Sequence, residues 1–182
     1  KYSGVGGAAL FCSVPPSGNG PMTERFVKER GLGVAWKIFR GFVFGEMTRD
    51  PDLVRTLFFP IGGKETQEQL QEFTDGIASN YKCKLDLMDL NKKLPITAVD
   101  PSSGRASWLE SMQPGVPFLV VGAQDDYIVD AAGVKEMAKF LGVEPIFLGP
   151  GQTHDIMSIN EWRPGAELLH GWLTSAIKPA AE

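Results

Sequence analysis

Three short apolar segments along the chain predict strands of a parallel β-sheet. The first covers residues 7–14 and ends in the breaker sequence Pro-Pro-Ser-Gly, the second covers residues 116–122, and the third covers residues 143–148. The first segment does not alternate between apolar and polar positions, which is typical of a strand that helices cover on both faces, and the second is also predicted to be buried. Pro117 lies at the start of its segment, where a missing N–H is tolerated.

Helical spacing dominates residues 23–112, which predicts a helical insertion between the first two strands. The clearest helix begins at a capping box formed by Thr66 and Gln69. Its apolar positions then fall on one face, and they are Leu70, Phe73 and Ile77. Residues 23–45 are dense in large apolar side chains and predict one or two helices broken around residues 31–33.

Two further helices are predicted after the second strand. Residues 131–141 have apolar side chains at helical spacing and precede Gly142, a typical helix stop, and residues 166–177 carry an apolar stripe of their own. The order strand, insertion, strand, helix, strand, helix predicts an α/β fold whose parallel strands are joined by right-handed crossovers. In such sheets the chemistry lies just past the carboxyl ends of the strands.

Composition and charge limit the classes of function. With 182 residues, 43% hydrophobic and 22% charged, the chain has the size and composition of one globular domain. Its formal net charge of −4 disfavours nucleic acid or acidic lipid as the main partner and favours a small neutral molecule. Its apolar stretches are far shorter than the roughly 20 residues of a membrane-spanning helix, so no transmembrane segment is expected. Cys12 and Cys83 form no CxxC motif, and neither a zinc site nor a disulfide framework is indicated.

Two strand-exit loops carry the candidate chemistry. Residues 122–129 contain Asp125 and Asp126, and residues 149–155 contain His154. Because neighbouring parallel strands lie about 4.8 Å apart, side chains on these loops can reach hydrogen-bonding contact. A histidine that acts as general base needs a carboxylate that fixes its tautomer and stabilises the imidazolium. We therefore predict that one of the two aspartates, Asp125 or Asp126, orients a catalytic His154.

Structural roles are open for the same residues. Either aspartate could cap the helix that starts near Ala131 or support a turn, and His154 could be a hydrogen-bonded structural histidine. His170 lies in the last predicted helix beside Trp172, where packing or exposure explains it better than catalysis. Cys12 lies within an apolar strand, which favours core packing over a role as thiol nucleophile.

The two loops resemble the acid and histidine loops of the α/β-hydrolase superfamily. The first reads Gly-x-x-x-Asp-x-Ile-Val and the second Gly-Pro-Gly-x-x-His-Asp-Ile-Met, with Asp126 and His154 separated by 28 positions. The resemblance implies that Asp126 is the acid, and Asp125 is the alternative because a shift of one residue in the loop would exchange the two. The resemblance covers essentially the whole chain and implies the C-terminal part of an α/β-hydrolase parallel sheet with a helical lid insertion. It implies that residues 1–19 form the core strand after the nucleophile helix, that residues 20–112 form the lid, and that residues 113–182 form the core with the acid and histidine loops.

The nucleophile that this family carries in Gly-x-Ser-x-Gly has no counterpart in the sequence. Ser3 lies in a glycine-rich stretch that no strand precedes, and Ser13, Ser17 and residues 102–103 lack the glycines of the motif. The resemblance implies that the nucleophile and the oxyanion-hole N–H groups precede Lys1, with the sheet completed by an N-terminal segment or a partner chain.

The function that the resemblance implies is that of a serine hydrolase. Such an enzyme cleaves an ester or related acyl bond in a small-molecule substrate and needs no metal or organic cofactor, and this chain alone is expected to be inactive. The alternative is a non-catalytic binding or interaction protein, since a fold does not fix a function. The compartment stays open, and the cytoplasm and an organelle such as the chloroplast are both compatible with the sequence.

Overall fold

The computed structural model describes residues 6–60, 62–80, 93–109 and 116–176. Within these ranges the chain forms a three-stranded parallel sheet and six α-helices, which confirms the predicted α/β class. In chain order, and with one 3-10 helix at Glu46–Thr48, the elements are β1 (Ala8–Phe11), α1 (Asn19–Arg30), α2 (Leu32–Phe42), α3 (Pro51–Phe58), α4 (Gln67–Asn80), β2 (Phe118–Ala123), α5 (Ala131–Leu141), β3 (Pro145–Leu148) and α6 (Arg163–Ala176).

β2 is the central strand, with β1 on one side and β3 on the other. The register pairs Ala8 with Phe118 on the first side and Val120 with Pro145 on the second. Since all three strands run in the same direction, their carboxyl ends meet at one edge of the sheet. The exit loops of β2 and β3 therefore lie side by side, as the order of elements predicts.

Burial differs between the three strands. β2 is buried from Leu119 to Ala123, as its continuous apolar sequence predicts. β1 and β3 are shorter than the predicted segments and only partly buried, and Ile146 and Phe147 in β3 are 39% and 38% exposed. The prediction of a buried strand was therefore wrong for β1, an edge strand of the described sheet whose Ala9 is exposed.

Helices pack on both faces of β2. Val120 belongs to a buried cluster with Val134 and Met137 of α5. Leu119 and Val121, which lie on the opposite face because side chains alternate along a strand, belong to a second cluster that α6 covers. The sheet is thus the middle layer between two layers of helices.

Local sequence signals determine where the helices of the insertion begin and end. Gly31, with φ 84°, separates α1 from α2 at the predicted break, in a backbone region that costs glycine little. The predicted capping box is present, since the Gln69 N–H donates to Thr66 Oγ1 at 3.2 Å and the Thr66 N–H donates to Gln69 Oε1 at 2.9 Å.

The helices of the predicted lid share a hydrophobic core with the sheet. Phe26 of α1 and Leu57 of α3 lie in the same buried cluster as Val120. A further cluster joins α3 and α4 to Ile159, in the loop that follows His154. This packing holds the helices next to the loops that carry the candidate acid and base.

The last two helices follow the prediction closely. α5 has the predicted bounds and ends at Gly142, which adopts the left-handed conformation with φ 69°. α6 begins at Arg163, slightly before the predicted start at Ala166. In the part of the chain that the structure describes, no helix has both the length and the apolar character needed to span a membrane.

Asp130 joins the N-terminus of α5 to α1. Its Oδ1 accepts the Gly133 N–H at 2.8 Å and caps α5, and its two oxygens accept hydrogen bonds from Nε and Nη2 of Arg25. Burial acts to raise the pKa of Asp130, but the hydrogen bonds from Arg25 and Gly133, together with the charge of Arg25, outweigh it. The pKa of Asp130 is therefore held below its usual value.

We expect Asp130→Ala to lower the free energy of unfolding by about 2–3 kcal/mol at neutral pH, because it removes both the cap and the ion pair. Asp130→Asn keeps the oxygen for Gly133 and should cost about half as much. Since the pKa is depressed in the folded protein, the charge of Asp130 stabilises fully above the unfolded pKa of about 3.9 and loses its effect as pH falls through the folded value. Urea titrations at about pH 7 and about pH 3 measure how the difference in free energy of unfolding between the wild type and Asp130→Asn changes with pH. A stability difference that grows in acid would contradict the ion pair.

Candidate functional site

Backbone hydrogen bonds hold the exit loops of β2 and β3 together. The Gln124 N–H donates to the Leu148 carbonyl at 3.1 Å, and the Asp125 N–H donates to the Gln152 carbonyl at 3.0 Å. These bonds continue the pairing of the two strands beyond their ends. The side chains that follow in each loop therefore face one another.

Asp126 and His154 form a hydrogen-bonded pair at this edge. His154 Nδ1 lies 3.1 Å from Asp126 Oδ2. The other carboxylate oxygen, Oδ1, accepts the N–H groups of Ile128 at 2.7 Å and Val129 at 2.9 Å. Since Asp126 is only 2% exposed, these three contacts provide the hydrogen bonds that a buried carboxylate requires.

The carboxylate determines which nitrogen of His154 carries the proton. An ionised carboxylate only accepts hydrogen bonds, so Nδ1 is the donor in this contact and Nε2 of the neutral ring is an acceptor. No group within the described ranges bonds to Nε2. The side chain of His154 is 24% exposed, whereas that of Asp126 is 1% exposed. The ring can therefore accept a proton at Nε2 from a group that approaches the edge of the sheet.

Asp125, the alternative acid, bonds to Gly151 rather than to His154. Its Oδ2 accepts the Gly151 N–H at 2.7 Å, which links the two loops at the surface. The helix-capping role considered for the aspartates belongs to Asp130. Asp126 supports a turn through one oxygen and contacts the imidazole through the other, so the turn does not exclude the contact with His154.

α3 contributes Phe58, its last residue, to the surroundings of His154. The ring of Phe58 lies 6.1 Å from the imidazole, with 52° between the two planes. The Phe58 carbonyl accepts the hydroxyl of Thr153 at 2.6 Å, and this bond fixes the residue directly before His154. Local sequence does not indicate the contact, because 95 positions separate its two partners.

Arg30, at the end of α1, joins that helix to the acid loop. Its guanidinium lies over the rings of Phe26 at 5.1 Å and Tyr127 at 5.5 Å, and its Nη1 donates to the Asp126 carbonyl at 3.3 Å. A basic residue in the last turn of a helix is common because it complements the helix dipole. The presence of Arg30 at this position in the sequence therefore gives little indication of its contact with the acid loop.

Cys12 lies where β1 ends and completes the group of side chains around Asp126. It is buried in the core cluster on the α6 side of the sheet, in agreement with the predicted packing role. Its backbone has φ 47°, a value that residues with a Cβ atom seldom adopt, and its Sγ donates to the Thr153 carbonyl at 3.9 Å. The Sγ of Cys12, a carboxylate oxygen of Asp126 and a ring nitrogen of His154 lie within 4.8 Å of one another.

Thiol, carboxylate and imidazole groups are three usual ligands of Zn²⁺, and a thiol near a histidine is also the arrangement of thiol nucleophiles. Burial, and then the negative charge of Asp126, raise the pKa of Cys12 far above its usual value. The thiol is therefore protonated at neutral pH, and it is the thiolate that ligates metals and attacks carbonyls. In addition, Nδ1 of His154 and the carboxylate bond to each other rather than converge on a common point. This arrangement favours an Asp126–His154 pair with a neutral thiol beside it.

We expect Cys12 to react with iodoacetamide at least about 100-fold more slowly in the folded protein than in urea, because it is buried and protonated. The reaction is quenched at intervals. Mass spectrometry of the peptide that contains Cys12 then separates its modification from that of Cys83. Equal rates in the folded and unfolded protein would contradict a buried neutral thiol and would support Cys12 as a nucleophile.

Other candidates from the sequence have structural roles. Ser17 donates both its N–H and its hydroxyl to Glu136, and residues 102–103 bind the carboxylate of Asp100 in a turn. His170 is exposed on α6, which is one of the two structural explanations considered for it. Two further residues discussed from the sequence, Ser3 and Cys83, lie outside the described ranges.

Comparisons with protein-family models, with curated proteins and with solved structures found no match for this chain. Any inference about the chemistry of this chain therefore rests on the geometry of Asp126, His154 and the residues around them. That geometry consists of an oriented histidine at the carboxyl edge of a parallel sheet, the place where open α/β sheets bind their ligands.

Proposed function

We propose that this chain supplies the acid and the base of a serine hydrolase that cleaves ester or related acyl bonds. The observation that carries the proposal is the 3.1 Å contact between His154 Nδ1 and Asp126 Oδ2, in which the carboxylate is buried and held by two N–H groups. A histidine base needs a fixed tautomer, an oriented ring and compensation for the positive charge that it acquires. Asp126 provides all three.

In the proposed reaction, His154 transfers one proton at a time. Its Nε2 takes the proton of the serine hydroxyl while the serine oxygen attacks the carbonyl carbon, and the imidazolium gives this proton to the departing alcohol. Water then attacks the acyl-serine, its proton passes to Nε2 and from there to the serine oxygen, and the acid is released. Asp126 stays ionised throughout and stabilises each imidazolium.

The nucleophile of this proposal comes from residues that precede Lys1 or from a partner chain. Within the described residues β1 pairs with β2 alone, so its other edge offers unpaired N–H and C=O groups to a further strand. A parallel strand at that edge would bring its own exit loop next to Cys12, Asp126 and His154. In the same proposal residues 20–112 form a lid that selects the acyl or alcohol group of the substrate.

A fluorophosphonate probe tests the proposal without knowledge of the natural substrate, because it reacts with the activated serine of serine hydrolases. We expect the protein produced with the residues that precede Lys1 to be labelled and to hydrolyse p-nitrophenyl acetate. The same protein unfolded by heat is the control for non-specific reaction. A folded longer protein that is neither labelled nor active would contradict the proposal.

A second function is a non-catalytic protein that binds a small acyl molecule on the same fold. It is favoured by the lack of a Gly-x-Ser-x-Gly motif anywhere in the sequence. The residues that precede Lys1 separate the two possibilities. A Gly-x-Ser-x-Gly motif there supports the serine hydrolase, the same motif with Asp or Cys in place of Ser supports a related enzyme with another nucleophile, and a motif without a nucleophile supports the binding protein.

A further inference from the structure

Thr153, the residue directly before His154, is buried and bonded to a helix of the predicted lid. It is 1% exposed, and its hydroxyl donates to the Phe58 carbonyl at 2.6 Å. Phe58 is the last residue of α3, and the carbonyls in the last turn of a helix have no partner within that helix. The Thr153 hydroxyl therefore provides a hydrogen bond that the end of α3 requires, and it joins this end to the histidine loop.

α3 is anchored along its whole length. Asp50 caps its first turn, and Val54 and Leu57 are fully buried. Leu57 belongs to the core cluster that includes β2, whereas Val54 belongs to the cluster that joins α3 to α4. The hydrophobic core therefore determines where the Phe58 carbonyl lies.

The two members of the candidate catalytic pair are held in different ways. Asp126 is fixed within its own loop, because its Oδ1 accepts two backbone N–H groups. Within the described residues, the side chain of His154 has a hydrogen bond to Asp126 alone. Its orientation therefore depends on the backbone of Thr153 and on the ring of Phe58, whose centroid lies 6.1 Å from that of the imidazole.

Thr153 also contacts β1, but this second contact is weaker. The Sγ of Cys12 donates to the Thr153 carbonyl at 3.9 Å, and a thiol is a weak hydrogen-bond donor. The bond of the Thr153 hydroxyl to α3 is much shorter and joins two good hydrogen-bonding groups. α3, rather than β1, therefore provides the stronger restraint on the residue before His154.

We propose that Thr153 is a positioning residue for His154, and that α3 holds the imidazole against Asp126 through the Phe58 carbonyl. Catalytic groups act well only when they are held within about 0.5 Å of the productive geometry. The expected effect on hydrolysis rests on the proposed function, whereas the contact between His154 and Asp126 can be measured without a substrate. In this proposal the predicted lid orients the base in addition to selecting the substrate.

Thr153→Val tests the proposal, because valine has nearly the same shape as threonine but no hydroxyl. In the protein that includes the residues preceding Lys1, we expect kcat for p-nitrophenyl acetate to fall by about 10–100-fold, while KM stays within about threefold of the wild type. Thr153→Ser keeps the hydroxyl and should keep kcat within about threefold of the wild type.

NMR of nitrogen-labelled histidine measures the contact itself. The proton on Nδ1 of His154 is protected from exchange with water while it donates to the buried carboxylate of Asp126. We expect this proton to exchange at least about tenfold faster in Thr153→Val, and the signals of the exposed His170 to stay unchanged. If the wild type does not hydrolyse the ester but Thr153→Val shows the faster exchange, the proposed function is contradicted and the positioning role is supported.

Thr74→Val is the matched control, because it removes another buried hydroxyl from a helix of the insertion. Thr74 is fully buried in α4, and its hydroxyl donates to the Leu70 carbonyl at 2.7 Å. This variant should keep the kcat and the exchange rate of the wild type. If circular dichroism shows that Thr153→Val does not fold, Thr153→Ala is compared with Thr153→Ser, since a single oxygen distinguishes the two.

Three results would overturn the proposal. The first is an unchanged exchange rate of the Nδ1 proton in the variant without the hydroxyl. The second is an equal loss of kcat in Thr153→Val and Thr74→Val. The third is a loss in Thr153→Ser as large as that in the variant without the hydroxyl, which would assign the effect to the methyl group of Thr153.

Discussion

In the protein that includes the residues preceding Lys1, Asp126→Asn should lower the kcat of ester hydrolysis by about 10⁴-fold while it leaves the fold intact. Asparagine has nearly the same shape, and its oxygen can still accept the N–H groups of Ile128 and Val129. Its amide, however, presents N–H donors to His154 where the carboxylate oxygen was an acceptor. The ring must then offer an unprotonated Nδ1 and carry its proton on Nε2, so it cannot accept the proton of the nucleophile.

Asp125→Asn is the matched control, because it makes the same chemical change one residue earlier in the loop. It affects only the contact with the Gly151 N–H, and we expect it to change kcat by less than about tenfold. NMR of nitrogen-labelled histidine reports the tautomer of His154 in both variants independently of activity. Equal losses of activity, or a large loss in Asp125→Asn alone, would contradict Asp126 as the acid.

Phe26→Ala should lower the free energy of unfolding by about 3–5 kcal/mol, which is the largest loss of stability that we expect from a single truncation. Phe26 is 2% exposed and lies in the cluster that joins α1 and α3 to β2. Its loss leaves a cavity among side chains that the sheet holds in place. It also removes one of the two rings under the Arg30 guanidinium, which lies 5.1 Å from the Phe26 centroid.

Phe44→Ala provides the comparison for this effect, because it truncates the same residue type where the side chain is 56% exposed. Its free energy of unfolding should stay within about 0.5 kcal/mol of the wild type. Urea titrations followed by circular dichroism give both values. A loss for Phe26→Ala as small as the one expected for Phe44→Ala would contradict a core that includes α1.

Sequence was most informative where short-range chemistry determines the backbone. Gly31 and Gly142 mark the ends of α1 and α5 because both adopt positive φ, and Thr66 and Gln69 mark the start of α4 because they bond to each other. These signals act within a few residues and do not depend on the rest of the fold. The burial of β1 and β3 depends instead on which chain segments lie beside them. It could therefore not be predicted from the apolar sequences of the strands themselves.

The same distinction applies to the site. The approach of Asp126 to His154 could be predicted, because neighbouring parallel strands bring their exit loops together. The contributions of Phe58, Arg30 and Cys12 could not, because their contacts in the two loops join residues that are 95, 96 and 141 positions apart. Such contacts follow from how the helices and β1 pack around the sheet. The short sequence signals that predict the elements do not encode them.

The hydrolysis rate of His154→Ala, compared with that of His170→Ala, measures most directly whether the Asp126–His154 pair is catalytic. His170→Ala is the control, because it removes the other histidine of the chain, which is exposed on α6. In the protein that includes the residues preceding Lys1, we expect His154→Ala to lower kcat for p-nitrophenyl acetate by at least about 10⁴-fold. His170→Ala should keep the wild-type rate. Equal rates for the two variants would contradict His154 as the base.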